Sequence, residues 1–259
     1  MKSIKLVVTC FVLTIILSSC ASRKDVVYFQ GVDTVAMDSI NKNSNYSPIL
    51  KPDDQLSIIV SSIDGEAALP FNLPAASVNI TGLNATGNPQ IQAYLIAQDG
   101  TIEFPQLGRL HLAGLTRLQA IDLFKTKLAP FLNDPVVTIQ IVNFKVSVLG
   151  EVKKSGTFPV KNERITVIEA LGLAGDTSLW GLRNNVLVIR ETENGKQFVR
   201  VDLTSPEMFT SPVYYLQQND VVYVEPNKPK INNSATSATT GIIISITSLA
   251  ITVISILLR

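Results

Sequence analysis

From Gly241 to Leu258, in the closing stretch GIIISITSLAITVISILLR, the chain carries no charged residue. As a helix this run extends about 27 Å, close to the hydrocarbon thickness of a bilayer. A transmembrane helix is therefore expected over 241–259. Its small and weakly polar residues recur in order. Gly241, Ser245, Ser248, Thr252 and Ser255 are spaced four, three, four and three apart, so they share one face, while Ile, Leu, Val and Ala occupy the others with Thr247 as the main exception. Two readings stay open. Such a stripe packs helix against helix, since small residues let backbones approach and Ser or Thr hydroxyls bond their own carbonyls, or it lines an aqueous passage in a ring of helices.

The other end also carries a membrane address. Lys2 and Lys5 precede the apolar LVVTCFVLTIIL, and LSSC follows, which is the layout of a secretory signal. Leu17 stands three residues before Cys20, the spacing of a bacterial lipobox. Residues 1–19 are thus expected to be a signal peptide, and Cys20 the lipidated start of a tether over 20–45. The acyl chains of such a cysteine are by themselves a stable anchor, so a second membrane segment used only for anchoring would be redundant.

The formal net charge is +1 and no Lys/Arg cluster stands out, which argues against nucleic acid as a partner. The two cysteines are Cys10, inside the signal, and Cys20. No thiol is left in the mature chain for a disulfide or metal site, so its core must hold it together.

Between these ends the text reads as alternating strands and single helices, an α+β class. Leu56, Ile58 and Val60 alternate as a half-buried strand. IDGEAALPFNLPAASVNITGLNATGNPQ shows no period and reads as a loop or insertion. Asp99-Gly100 between apolar runs predicts a β-hairpin with a type I′ turn. Thr116 and Gln119 form a capping box ahead of Leu118, Ile121, Phe124 or Lys125, and Leu128 at helical spacing. DPVVTIQIV and FKVSVLGEV, separated by Asn143, read as two strands or one bent one. A second capping box, Thr166 and Glu169 with Ile165 as staple, opens a short helix that Gly175 closes. Asn194-Gly195 predicts another hairpin, YYLQQNDVVYVEP a last strand, and NKPKINNSATSATT a polar linker over 227–240.

The stretches YSPILKPDDQLSIIV, DGTIEFPQLGRLHLAGLTRLQA, DPVVTIQI, VSVLGEVKKSGTFPV, ITVIEALGLAGD and YYLQQNDVVYVEP, in this order, resemble the bacterial polysaccharide export proteins, the Wza-type outer-membrane lipoproteins. The resemblance implies a polysaccharide-export domain over 46–142 and one soluble-ligand-binding β-grasp (SLBB-like) domain over 143–226, where larger members carry more than one such repeat. It implies a polysaccharide substrate, a homo-oligomeric ring of about eight subunits, and an inner-membrane copolymerase or autokinase as partner. Eight helices at ~10 Å each give a circumference of ~80 Å and a lumen of ~15 Å, wide enough for an extended glycan. The body would be periplasmic and the lipid would sit in the outer membrane. The alternative is a glycan-binding or scaffold lipoprotein with a simple C-terminal anchor.

No cofactor and no catalytic residue is expected. His111 is the single histidine, in an alternating strand, and no nucleophile elbow, zinc-peptidase motif or phosphate loop is present. Asp53, Asp54, Asp99 and Glu103 supply carboxylates, but in turn and strand contexts that account for them. Gly150 and Gly156 read as places of close approach or positive φ.

Overall fold

The computed structural model describes residues 26–34, 46–73, 92–192, 195–235 and 238–257. Cys20, Asn194 and Arg259 lie outside the described residues.

Two hydrophobic cores follow one another along the chain. The first is built on strand β1 (Gln55–Ser61), which pairs antiparallel with β2 (Tyr94–Leu95) on one side and β5 (Val136–Ile141) on the other. The expected alternation appears, with Leu56, Ile58 and Val60 inward. Strands β3 (Thr101–Phe104) and β4 (Gly108–His111) form a separate hairpin, and helix α1 (Arg117–Leu128) packs on the sheet. Phe104 meets Phe124 edge-on at 4.8 Å and Tyr94 at 5.2 Å, which joins hairpin, helix and sheet into one core.

The second core lies in a five-stranded sheet ordered β10-β9-β12-β6-β7. Its strands are β6 (Lys145–Gly150), β7 (Gly156–Pro159), β9 (Gly181–Thr192), β10 (Gly195–Val201) and β12 (Val221–Pro226). Strand β12 runs parallel to β6 and antiparallel to β9. A small pair, β8 (Ile165–Thr166) with β11 (Tyr215–Leu216), and helix α2 (Val167–Leu173) cover it. Val146, Val148, Val186, Val188, Val222 and Val224 are all buried, as β-branched residues on a pleated inward face should be.

Both capping boxes form. Gln119 N donates to Thr116 Oγ1 at 3.3 Å while Thr116 N donates to Gln119 Oε1 at 2.8 Å, and Thr166 with Glu169 does the same at 3.2 and 2.7 Å. Helix α2 closes as foreseen. Gly175 takes φ 76°, its N–H reaches Gly172 O, and the N–H of Asp176 reaches Leu171 O at 2.8 Å, the double bond of a Schellman end.

Four readings of the sequence need correction. The buried face of α1 is Ala120, Phe124 and Leu128, spaced by four, so Leu118 points to solvent at 58% exposure. At Asp99-Gly100 the chain does turn, but only Gly100 takes a positive φ, and a type I′ turn needs two. Gly100 N bonds Ala97 O and Ala97 N bonds Thr101 O, which is a three-residue loop ending in a left-handed glycine. Strand β3 then pairs with β4, around Gln106. The presumed loop after Ser61 holds a helical turn, Gly65–Ala68, capped by Asp64, and a 3-10 turn Leu69–Phe71 that buries Phe71; residues 74–91 lie outside the described residues. The presumed polar linker is mostly helix. Asn227 Oδ1 accepts from Lys230 N at 3.1 Å and Pro229 sits in the first turn, so α3 (Lys228–Ala235) has a proper start.

Helix α4 (Ala238–Leu257) ends the described chain with twenty residues. Among the described residues no helix is long and apolar enough to cross a membrane. The side chains at 238, 239, 240, 243, 244, 250, 251, 254, 255 and 257 of α4 lie outside them.

Residues 26–34 lie on the second core, with Phe29 N bonded to Leu203 O, Gln30 N to Thr204 O, and the Phe29 ring stacked on Phe209 at 5.8 Å.

Candidate functional site

The candidate pore-lining or packing residues sit on α4. At about 100° per residue, Gly241, Ser245, Ser248 and Thr252 fall within about 60° of one another, while Ile242, Ile246, Leu249 and Val253 gather on an adjoining face. All eight are exposed. The side chain of Ser255 lies outside the described residues. The hydroxyls turn back on the helix: Ser245 Oγ donates to Gly241 O at 2.9 Å, Ser248 Oγ to Ser245 O at 2.9 Å, and Thr252 Oγ1 to Ser248 O at 2.8 Å. Each donor is therefore satisfied without water, and each oxygen keeps an acceptor lone pair facing outward. The result is a narrow, weakly polar, chemically inert strip.

What carries this helix is a body whose two cores are pinned to each other. Asn143, between β5 and β6, is a clip: its Oδ1 accepts from Gln55 N at 2.9 Å and its Nδ2 donates to Asp53 O at 2.9 Å, while its own carbonyl accepts from Gln218 Nε2 at 2.9 Å. Tyr46 stacks on Tyr215 at 4.9 Å, Lys51 Nζ donates to Gln217 Oε1 at 2.7 Å, and Arg117 pairs with Glu163 at 3.1 Å. Burial lowers the Lys51 ammonium from its ordinary value and raises the Tyr46 phenol.

Behind this joint lies a buried ion pair that the sequence reading missed. Arg190 and Asp220 are 5% and 1% exposed. Arg190 Nε donates to both carboxylate oxygens at 3.1 Å and Nη2 to Oδ2 at 2.7 Å. The same guanidinium donates to Pro212 O at 3.3 Å and Tyr215 O at 2.9 Å, and Asp220 Oδ2 accepts from Gln217 N at 2.8 Å. One cation thus fixes the loop that presents Tyr215 and Gln217 to the first core. A signal existed: Val186, Val188 and Arg190 share the inward face of β9, and a charge at an inward position demands a partner.

The carboxylates considered from sequence are dispersed in structural duties. Asp53 takes φ 70° in a turn and accepts from Gln98, Asp99 accepts from Thr101 N and Oγ1, and Glu103 pairs with Arg109 at 3.0 Å. Asp54 is 1% exposed and accepts from Lys51 N at 2.8 Å. Burial pushes its carboxyl up to about 6 against that bond and the Lys51 charge. His111 packs over Gly100, where an added Cβ would meet its Cε1 at 2.5 Å. Gly150, at φ 91°, brings its backbone against Val224 O, whereas Gly156 has neither a positive φ nor a close neighbour. Among the described residues no three His, Cys, Asp or Glu side chains converge as metal ligands. A polar groove of about 380 Å³ opens beside Tyr215, lined by Asn162, Glu163, Arg164, Thr166 and Glu169.

A family model described as polysaccharide biosynthesis/export protein matches residues 42–142, and an SLBB domain model matches residues 144–224. The chain belongs to the polysaccharide export family. Among its relatives is the EPS I polysaccharide export outer membrane protein EpsA of Ralstonia solanacearum, 30% identical over 152 residues, which cover 56% of this chain and 39% of the relative. The protein of the same name from Ralstonia nicotianae is 30% identical over 146 residues, covering 54% of this chain and 37% of the relative. The chain therefore matches less than half the length of these curated relatives. The polysaccharide export family is one of export proteins and not of enzymes. Within it, the joint described above links the part matched by the export model to the part matched by the SLBB model.

Proposed function

We propose that this chain is one subunit of an oligomeric outer-membrane lipoprotein through which capsular or exopolysaccharide passes from periplasm to cell surface, without chemistry of its own. Cys20 bears the lipid, the two-core body over 46–226 lies in the periplasm, and the uncharged run 241–258 with Arg259 behind it, which extends past the described residues, crosses the outer membrane. An inner-membrane copolymerase or autokinase delivers the glycan from below. The observation that carries the reading is the inert strip on α4: an uncharged helix with Gly241, Ser245, Ser248 and Thr252 on one face, and these three hydroxyls each bonded to the helix's own backbone, offers a wall that a hydrated glycan can slide along without being held. The clipped joint supports it as well, because a ring needs subunits of fixed shape. Electron microscopy of the detergent-extracted protein tests the assembly, with rings expected and isolated particles contrary to it.

A second reading is favoured by the polar groove beside Tyr215. Its arginine, asparagine and carboxylate oxygens suit a hydroxyl-rich ligand, so the chain would be a glycan-binding scaffold whose helix only anchors. Soluble glycan fragments should then shift the thermal midpoint of the protein, and particles in detergent should be single.

A further inference from the structure

Both membrane-leading ends of the described body meet at one loop. Tyr28, eight residues after Cys20, donates its hydroxyl to Asp176, lies 3.1 Å from Thr177 Oγ1, and has the Arg183 guanidinium 5.2 Å over its ring. Four residues further along that loop, Trp180 O accepts from the N–H of Asn227, the residue that caps α3 on the way to α4. Eight residues span at most ~28 Å, so an acyl chain on Cys20 holds this loop within that distance of a leaflet.

The loop is rigid and its tip is apolar. Ser178 N donates to Glu151 O at 2.8 Å, Ser178 Oγ to Glu151 Oε2 at 2.9 Å, Trp180 N to Ser178 Oγ at 3.0 Å, and Val152 bridges Thr177. From this fixed frame Leu179 projects at 81% exposure with Trp180 at 41% beside it. Around the tip stand four exposed lysines. Lys153 and Lys154 bond the same loop through their backbones, to Asp176 O and Ala174 O, and Lys228 and Lys230 open α3. The carboxylates nearby are already engaged, Glu151 by Ser178 and by Lys230 at 3.7 Å, Asp176 by Tyr28 and Thr177.

We propose that Leu179 and Trp180 insert into the headgroup region of the phospholipid leaflet that receives the Cys20 lipid, with Lys153, Lys154 and Lys228 on its anionic phosphates. Tryptophan suits that depth because its ring is apolar and its indole N–H polar, while a leucine beside it gains by leaving water. The contact is a third point of attachment beside lipid and helix, and three points fix the tilt of the body on the bilayer where two leave it free to swing. The inference rests on the lipoprotein reading above.

Trp180 is the single tryptophan of the chain, so intrinsic fluorescence of the full-length lipidated protein reads this tip alone. The protein is reconstituted in phosphatidylethanolamine and phosphatidylglycerol vesicles whose acyl chains carry bromine either near the headgroup or near the chain end. A blue-shifted emission, quenched by the shallow bromines more than by the deep ones and shielded from acrylamide, is the expected result. Leu179→Asp, which keeps the fluorophore, should lose that quenching. Emission open to acrylamide and untouched by bromine, in protein that floats with the vesicles, overturns this inference and leaves the lipoprotein reading standing. Emission shielded from both quenchers overturns it too and assigns the tip to a contact with another copy. Protein that fails to float overturns the parent reading and this one together.

Discussion

Replacing Arg190 by Met isolates the largest electrostatic commitment in the second core. The substitution keeps the aliphatic volume but strands Asp220, 1% exposed, with the Gln217 N–H as its remaining hydrogen-bond donor among the described residues and the Lys51 charge further off, and frees the carbonyls of Pro212 and Tyr215. Leaving one member of a buried ion pair uncompensated costs about 3–5 kcal/mol. Arg190→Lys keeps the charge and loses the forked geometry, which amounts to one or two charge-assisted bonds, or about 1.5–3 kcal/mol. Against a domain stability of 5–15 kcal/mol, typical of small domains, the first change takes a large share. Trp180 lies in this core's sequence and reports on it, so urea unfolding followed by its fluorescence is the assay. With a slope of about 1 kcal/mol per molar urea, Arg190→Met should lower the midpoint by about 3 M or more and Arg190→Lys by roughly half that. Adding Asp220→Asn to Arg190→Met should recover part of the loss, because it removes the stranded charge. Equal midpoints for the Met and Lys variants would refute the argument, since charge would then not be the deciding quantity, and so would a Met variant within about 1 kcal/mol of wild type.

Three further outcomes follow from other sites. Asp54, raised to about 6 by burial, binds its proton more tightly folded than unfolded, so its contribution to stability is full below the ordinary value near 3.8 and is lost as pH rises through 6. Wild type should therefore gain up to about 3 kcal/mol on Asp54→Asn between pH 7 and pH 4, measured by paired melts; a constant difference across that range would contradict it. Gly100→Ala should cost more than about 1 kcal/mol, from φ 80° and from the approach of its Cβ to His111 Cε1 at 2.5 Å and Ala113 Cβ at 2.8 Å, and His111→Ala should relieve only the first of these contacts, leaving the double variant still below His111→Ala in thermal midpoint. Metabolic labelling with a fatty-acid analogue should mark wild type and not Cys20→Ser, and equal labelling of both would end the lipoprotein reading.

Local signals were legible where the chain satisfies itself within a few residues. Thr116 with Gln119 and Thr166 with Glu169 each close a reciprocal cap three residues apart, so the text of the sequence contains the whole interaction. The Gly175 helix end is of the same kind. What escaped involves partners far apart in the chain: Tyr28 finds Asp176 across 148 positions, Lys51 finds Gln217 across 166, and Arg190 finds Asp220 across 30. Helix α3 was hidden for a different reason. Its composition is polar and it lacks an apolar stripe, so periodicity had nothing to read, although Asn227 and Pro229 carry a start signal. On α4 the stripe was legible as a period, but the inward turn of the hydroxyls is a choice of rotamer that spacing cannot specify.

In the proposed channel this strip faces the glycan's path, and thiol accessibility across the assembled helix reads that orientation. Single cysteines at Ser248 and Thr252 and, on the adjoining apolar face, at Ile246 and Val253 are introduced into the full-length protein with Cys10→Ser and Cys20 retained. Each is then treated in the native membrane with an impermeant thiol reagent. A thiol ionises and reacts readily only where water reaches it. Reaction at positions 248 and 252 with protection at 246 and 253 is the predicted result. Protection at all four positions in ring-forming protein would contradict the account, give the strip to helix packing, and require the glycan to leave by another route.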